Sequence, residues 1–250
     1  MNLRQSFLAL STIGLGLLGS SVAYGQTLNT VRSGWIRDDG ASAALPNNQN
    51  YSVGVLPGGS TLEYRNYFVF DLTGVNSMIT SATLNLYNPT VLTNSVNGYG
   101  GDATETYELT STSTAPGTLL PNLTMPQALA AFGTLGTGSL FASVTASTAS
   151  NGQTLQLGFN AAGLAYLNAN LGQIVAFGGR LSSLSGVTPQ HLFIGTNPTG
   201  TNPLLRTPPV TLSLQQGPAL TPEVPGIVMA LPMIMAVGSM ALYQRRKKQA

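Results

Sequence analysis

Tyr64-Arg65-Asn66-Tyr67-Phe68-Val69-Phe70-Asp71, followed after a short break by Ile79-Thr80-Ser81-Ala82-Thr83-Leu84-Asn85-Leu86-Tyr87, decides the fold. Apolar side chains recur at every second position in the later run, the period of a strand with one face in a core. Ala82, Leu84 and Leu86 point one way, and Thr83, Asn85 and Tyr87 point the other.

Outward from this stretch the same signature recurs more weakly. Strands are expected near Thr30–Ile36, Tyr51–Val55, Thr104–Thr110, Ser139–Thr145, Thr154–Phe159, Ile174–Phe177, His191–Ile194 and Val210–Leu214. Turn-forming clusters separate them: Leu45-Pro46-Asn47-Asn48, Pro57-Gly58-Gly59, Asn97-Gly98-Tyr99-Gly100-Gly101, Asn151-Gly152 and Asn197-Pro198-Thr199-Gly200. Asn151-Gly152 has the composition of a tight hairpin turn. Two short helices interrupt the strands. Thr124 is placed to cap Met125–Phe132, with Pro126 tolerated in the first turn, and Asn160 to cap Ala161–Leu171, where Leu164, Leu167 and Leu171 form one stripe. Many short strands with two connecting helices predict an all-β domain over residues 26–214, a β-sandwich of the jelly-roll type.

The two ends read differently. A weakly basic start (Met1–Gln5), an apolar run from Phe7 to Gly19 and the small residues Ala23 and Gly25 around Tyr24 form the layout of a secretory signal peptide over residues 1–25. Its partners would be the secretion translocon and signal peptidase. Residues 215–225 are rich in proline and read as a spacer. Residues 226–243 carry no charge, and a helix of that length spans roughly 27 Å, near the short end of a hydrocarbon core. The tail, residues 244–250, holds Arg245, Arg246, Lys247 and Lys248, which fix it on the cytoplasmic side and leave the domain outside.

Charge and cysteine content bound the function. Half of the ten basic residues lie in the terminal signals, leaving Arg32, Arg37, Arg65, Arg180 and Arg206 between them. Seven acids share that region: Asp38, Asp39, Glu63, Asp71, Asp102, Glu105 and Glu108. A domain this poor in cations has no footprint for nucleic acid. The chain has no cysteine, which excludes disulfides, thiolate metal sites and a cysteine nucleophile.

Two stretches carry resemblances. Thr221-Pro222-Glu223-Val224-Pro225, an apolar span and an Arg-rich end resemble the PEP-CTERM sorting signal of bacterial surface proteins. Val224 stands where that signal has its second proline, and Pro225 follows one residue late. The resemblance implies a membrane transpeptidase, an exosortase, as partner, and marks Pro222, Glu223, Pro225, Arg245 and Arg246 as sorting residues. Glu63–Leu72 with Ile79–Tyr87 resembles the pattern of jelly-roll surface domains of the DNRLRE and carbohydrate-binding-module type. Phe177-Gly178-Gly179 and Leu192-Phe193-Ile194 fit the same group loosely.

Candidate chemistry is sparse. Trp35, Tyr64, Arg65 and Asp71 are the candidate ligand-binding residues: Arg65 and Asp71 share a strand face, while Trp35 and the tyrosines offer stacking faces for a polysaccharide. Asp38-Asp39-Gly40 with Asp102, Glu105 and Glu108 is a donor set for a structural calcium ion if the fold brings the oxygens together. No resident metal or other cofactor is expected otherwise. His191, the single histidine, lies in an apolar strand without a Gly-x-Ser-x-Gly elbow, and reads as a structural or surface residue. The expected function is non-enzymatic: an exported, surface-displayed sandwich with a structural or adhesive role in the cell envelope or extracellular matrix. The alternative is a carbohydrate-binding module at the cell surface.

Overall fold

The computed structural model describes residues 24–43, 50–58, 61–90, 98–186, 189–196 and 207–217. Residues 1–23, the sorting residues Pro222, Glu223, Pro225, Arg245 and Arg246, the span 226–243 and the tail 244–250 lie outside them. No helix among the described residues is long and apolar enough to cross a membrane.

Among the described residues eleven strands form two sheets. They are β1 (Tyr24–Asn29), β2 (Arg32–Arg37), β3 (Val53–Val55), β4 (Glu63–Asp71), β5 (Ile79–Asn88), β6 (Glu105–Ser111), β7 (Leu140–Ala146), β8 (Gln153–Gly158), β9 (Ile174–Leu181), β10 (Gln190–Leu192) and β11 (Thr211–Gln216). The smaller sheet has the order β1-β11-β5-β8. The larger runs β10-β3-β4-β9-β6-β7, with β2 also paired to β4. All pairs are antiparallel.

The two decisive runs of sequence, β4 and β5, therefore lie in opposite sheets. Their alternation supplies both walls of the core. Phe68 and Phe70 from β4 meet Ala82, Leu84 and Leu86 from β5, and Leu109, Phe141, Leu157, Phe177, Leu212 and Leu214 complete it. The other face of the larger sheet is also sealed. The described residues include three α-helices, α1 (Pro116–Leu119), α2 (Met125–Phe132) and α3 (Ala161–Ala169). Leu119, Ala128, Ala131 and Leu135 from α1, α2 and the turn after α2 cover Ile36, Tyr67, Val69 and Ala176 in a second apolar cluster. This explains the unbroken apolar run at the centre of β4: the strand is buried on both faces.

The helix caps behave as the sequence implies. The Gln127 Oε1 accepts from the Thr124 N–H at 2.9 Å, and the Asn160 Oδ1 accepts from the Gly163 N–H at 2.9 Å. α3 stops at Ala169, two residues short of the expected Leu171.

Four boundaries need correction. Tyr24 and Gly25, assigned above to the signal peptide, pair with Gln216 and Gln215 as the first rungs of β1. The last strand, β11, continues to Gln216, two residues past the expected Leu214. Asn151-Gly152 is not a hairpin turn, since β7 and β8 belong to different sheets. β10 ends at Leu192 instead of Ile194, because Phe193 takes φ 63°, where a strand cannot continue.

Candidate functional site

The four candidate ligand residues do not form one site. Tyr64 and Arg65 are consecutive in a strand, so they must point to opposite faces. Trp35 joins Tyr64, with ring centroids 4.9 Å apart and the rings tilted by 55°. The Arg37 guanidinium lies 5.7 Å from the Tyr64 ring centre and donates to the Tyr64 hydroxyl at 3.2 Å. It also grips Asp39 through two bonds, at 2.8 and 2.6 Å. That pairing, with the Ala41 N–H, holds the Asp39 carboxyl down to about 2.

Arg65 serves the opposite face. It donates to both Glu63 oxygens, at 2.8 and 3.3 Å, and to the carbonyls of Phe132 and Leu135 at 3.1 and 2.9 Å. Its guanidinium stacks 4.3 Å from the Phe132 ring centre. Arg65 thus ties the C-terminal end of α2 to the sheet, where a cation also meets the favourable end of the helix dipole. Asp71 sits six residues along the strand, about 20 Å away. It accepts from the Thr73 N–H at 2.8 Å, and hydrogen bonding from the Thr73 side chain and then its backbone lowers the Asp71 pKa. Arg65 and Asp71 do share a face, but each is occupied by a separate structural task.

The carboxylates considered as calcium donors are likewise dispersed. Asp38 accepts from the Glu63 N–H at 3.2 Å, and Glu108 pairs with Arg180 at 3.1 Å. Glu105 is wholly buried and accepts from the Gln190 amide at 2.9 Å, the Asp102 N–H at 3.2 Å and the Ser183 hydroxyl. Gln190 also donates to Asp102 at 3.1 Å. Among the described residues no group of three or more His, Cys, Asp or Glu side chains converges on a point that would hold a metal ion. His191 is buried on β10, its ring against Gly100.

What sequence reading missed is a cleft of about 350 Å³ at the β3–β4–β10 end, lined by Asp38, Val55, Thr61, Glu63, Leu184, Gly186 and Gln190. Glu63, Val55 and Gln190 stand opposite one another in adjacent strands, so they share one face. Register alone creates that grouping, and the residues are far apart in the chain. The volume lies at the small end of the range for ligand pockets.

A second surface is the open face of the smaller sheet. Its outward positions are Gly25, Thr27 and Asn29 on β1, Thr211, Ser213 and Gln215 on β11, Ser81, Thr83, Asn85 and Tyr87 on β5, and Thr154, Gln156 and Gly158 on β8. None of these strands contains a charged residue, whereas β2, β4, β6 and β9 of the larger sheet all do. Asn85 knits the face together by donating to the Thr211 and Ser213 hydroxyls, both at 3.1 Å.

Comparison of the chain with protein-family models and with curated proteins finds no match.

Proposed function

We propose that this chain is an exported, non-enzymatic display protein: a signal peptide, a jelly-roll β-sandwich, a proline-rich spacer and a membrane span with a PEP-CTERM-like sorting tail. Its role is structural or adhesive, at the cell surface or in the extracellular matrix. The observation that carries the reading is the segregation of charge. One sheet presents an open hydroxyl and amide face without a single charged residue, suited to many weak neutral contacts. The carboxylates of the other sheet are engaged by arginines, amides and backbone N–H groups, and so are poorly placed for acid–base chemistry. The jelly-roll reading is supported by strand order: β1-β11-β5-β8 faces β4-β9-β6-β7, the chain passing between the sheets as two Greek keys require.

The extent of β1 bears on export. Cleavage after Gly25 would remove two rungs of the β1–β11 ladder. Ser21-Val22-Ala23 offers the same small-x-small pattern two residues earlier, and cleavage after Ala23 leaves the strand whole. Cell fractionation with intact mass spectrometry tests the reading. The expected result is an envelope or medium protein beginning at Tyr24. A full-length chain soluble in the cytoplasm would overturn it.

The second reading, a carbohydrate-binding module, is favoured by the cleft beside Asp38, Glu63 and Gln190 and by the Trp35–Tyr64 pair. A glycan array followed by titration decides it. Binding lost on Asp38→Asn supports the cleft, binding lost on Trp35→Ala supports the aromatic pair, and binding that neither change affects excludes both.

A further inference from the structure

The smaller sheet has an open edge at β1. In β1 the N–H of Thr30, just beyond its end, donates to the Val210 carbonyl at 3.0 Å. In an antiparallel ladder hydrogen-bonded pairs alternate with non-hydrogen-bonded ones. Stepping back along the register, Leu28, Gln26 and Tyr24 turn their N–H and C=O groups toward β11, and Asn29, Thr27 and Gly25 turn theirs away. No described residue pairs with those outward groups. The far edge of the sheet differs. There Asn160, two residues after β8, is tied to β7 by its N–H to the Phe141 carbonyl at 2.8 Å and its side chain to the Leu140 carbonyl at 2.9 Å.

Proteins guard such edges with lysine, proline, bulges or brevity. Tyr24-Gly25-Gln26-Thr27-Leu28-Asn29 has six residues, no charge, no proline and a regular register. Large apolar side chains flank it: Tyr24 is 63% exposed and Val31 45%.

We infer that β1 pairs antiparallel with β1 of a second copy about a two-fold axis at Thr27, joining two four-stranded sheets into one. The register follows from geometry. Paired residues must lie on the same face, so the axis passes through a residue, and only an axis at an outward-bonding residue matches all the open groups. At Thr27, Thr27 faces its own copy and Gly25 faces Asn29, so every outward N–H meets a carbonyl. Tyr24 of each copy then comes opposite Thr30. The strand is uncharged, so its own copy is not repelled. The two neutral faces become continuous in an isologous dimer that closes without leading to fibres. This inference does not rest on export or sorting and holds or fails separately from them.

The absence of cysteine makes the test direct. In a hydrogen-bonded antiparallel pair the Cα atoms are about 5.5 Å apart, within the range a disulfide spans. Thr27→Cys in the full chain, purified in detergent and mildly oxidised, is expected to give a covalent dimer on a non-reducing gel, while Gln156→Cys on β8 stays monomeric. A Thr27→Cys chain that cross-links no more than Gln156→Cys overturns the inference. Thr27→Pro removes an N–H that the β1–β11 ladder does not use, so the fold is expected to survive while sedimentation shows self-association weakened roughly tenfold or more. Thr27→Lys, which sets two ammonium groups opposite each other, is expected to act in the same direction. Dimerisation unchanged in Thr27→Lys would contradict the proposed register even if Thr27→Pro misfolds.

Discussion

The two sheets solve the same packing problem with different chemistry. Both bury an apolar inner face, but the larger sheet is also covered outside by α1 and α2 and contains every charged strand residue described. A relay of polar groups crosses its interior. Tyr107 donates to Asn66 Oδ1 at 2.8 Å, Asn66 donates to the Tyr51 carbonyl at 2.8 Å, and the Tyr51 hydroxyl reaches the Tyr87 carbonyl at 3.1 Å, all within the core. Among the described residues the smaller sheet has no covering layer, and on its inner face the buried Asn88 donates to the Ser150 carbonyl at 3.3 Å and accepts from the Phe193 N–H at 3.0 Å. One sheet specifies the structure, and the other is left plain and open. The contrast teaches that low charge here is a property of one face rather than of the whole domain.

The largest effect expected from breaking this contrast is at high pH. Burial pushes the Tyr51 and Tyr107 phenols far above their ordinary value of 10.0. The folded state therefore holds these protons more tightly, so their contribution is fully present below pH 10 and is lost as pH rises beyond it. Both phenols are shifted in the same direction, so their losses add as pH rises above 10. Circular dichroism should fall in one transition above pH 10, together with the share of tyrosinate absorbance that Tyr51→Phe and Tyr107→Phe remove. That share appearing well before unfolding would mean the two phenols are not buried.

Paired glycine substitutions sharpen the comparison. A Cβ on Gly179 in β9 would collide with the Tyr107 hydroxyl and Asn66 Oδ1, and Gly179→Val should cost about 3 kcal/mol in urea unfolding. Arg65→Met follows. It keeps the apolar stem but loses Glu63 and the carbonyls at the end of α2, for about 2 kcal/mol. On the smaller sheet a Cβ on Gly158 meets nothing within 4 Å, so Gly158→Val should be neutral or stabilising by about 0.5 kcal/mol. Thr83→Lys on the same face should alter stability by no more than about 0.5 kcal/mol. Equal penalties for Gly179→Val and Gly158→Val would erase the distinction between the sheets.

Much of this was legible along the chain. The alternation in β5 and the caps Thr124 and Asn160 are local signals, and they lead to the observed elements. β1 was hidden because Tyr24 and Gly25 follow a greasy run and look like a cleavage site; only pairing with β11 reveals them as a strand. β9 extends through Gly178-Gly179 to Leu181 although glycine weakens strands, because Tyr107 and Leu135 press too close for any side chain. The separation of Tyr64 from Arg65 was readable from parity alone. The cleft at Asp38, Glu63 and Gln190 was not, since it depends on which strands become neighbours.

Accessibility of the neutral face on living cells is the most direct measurement. Gln156 is exposed on that face, and the chain offers no competing thiol. A Gln156→Cys chain expressed in its host should react with a membrane-impermeant maleimide on intact cells or in shed material. Labelling that appears only after the cells are broken open would contradict a displayed sandwich with its uncharged sheet turned to the surroundings.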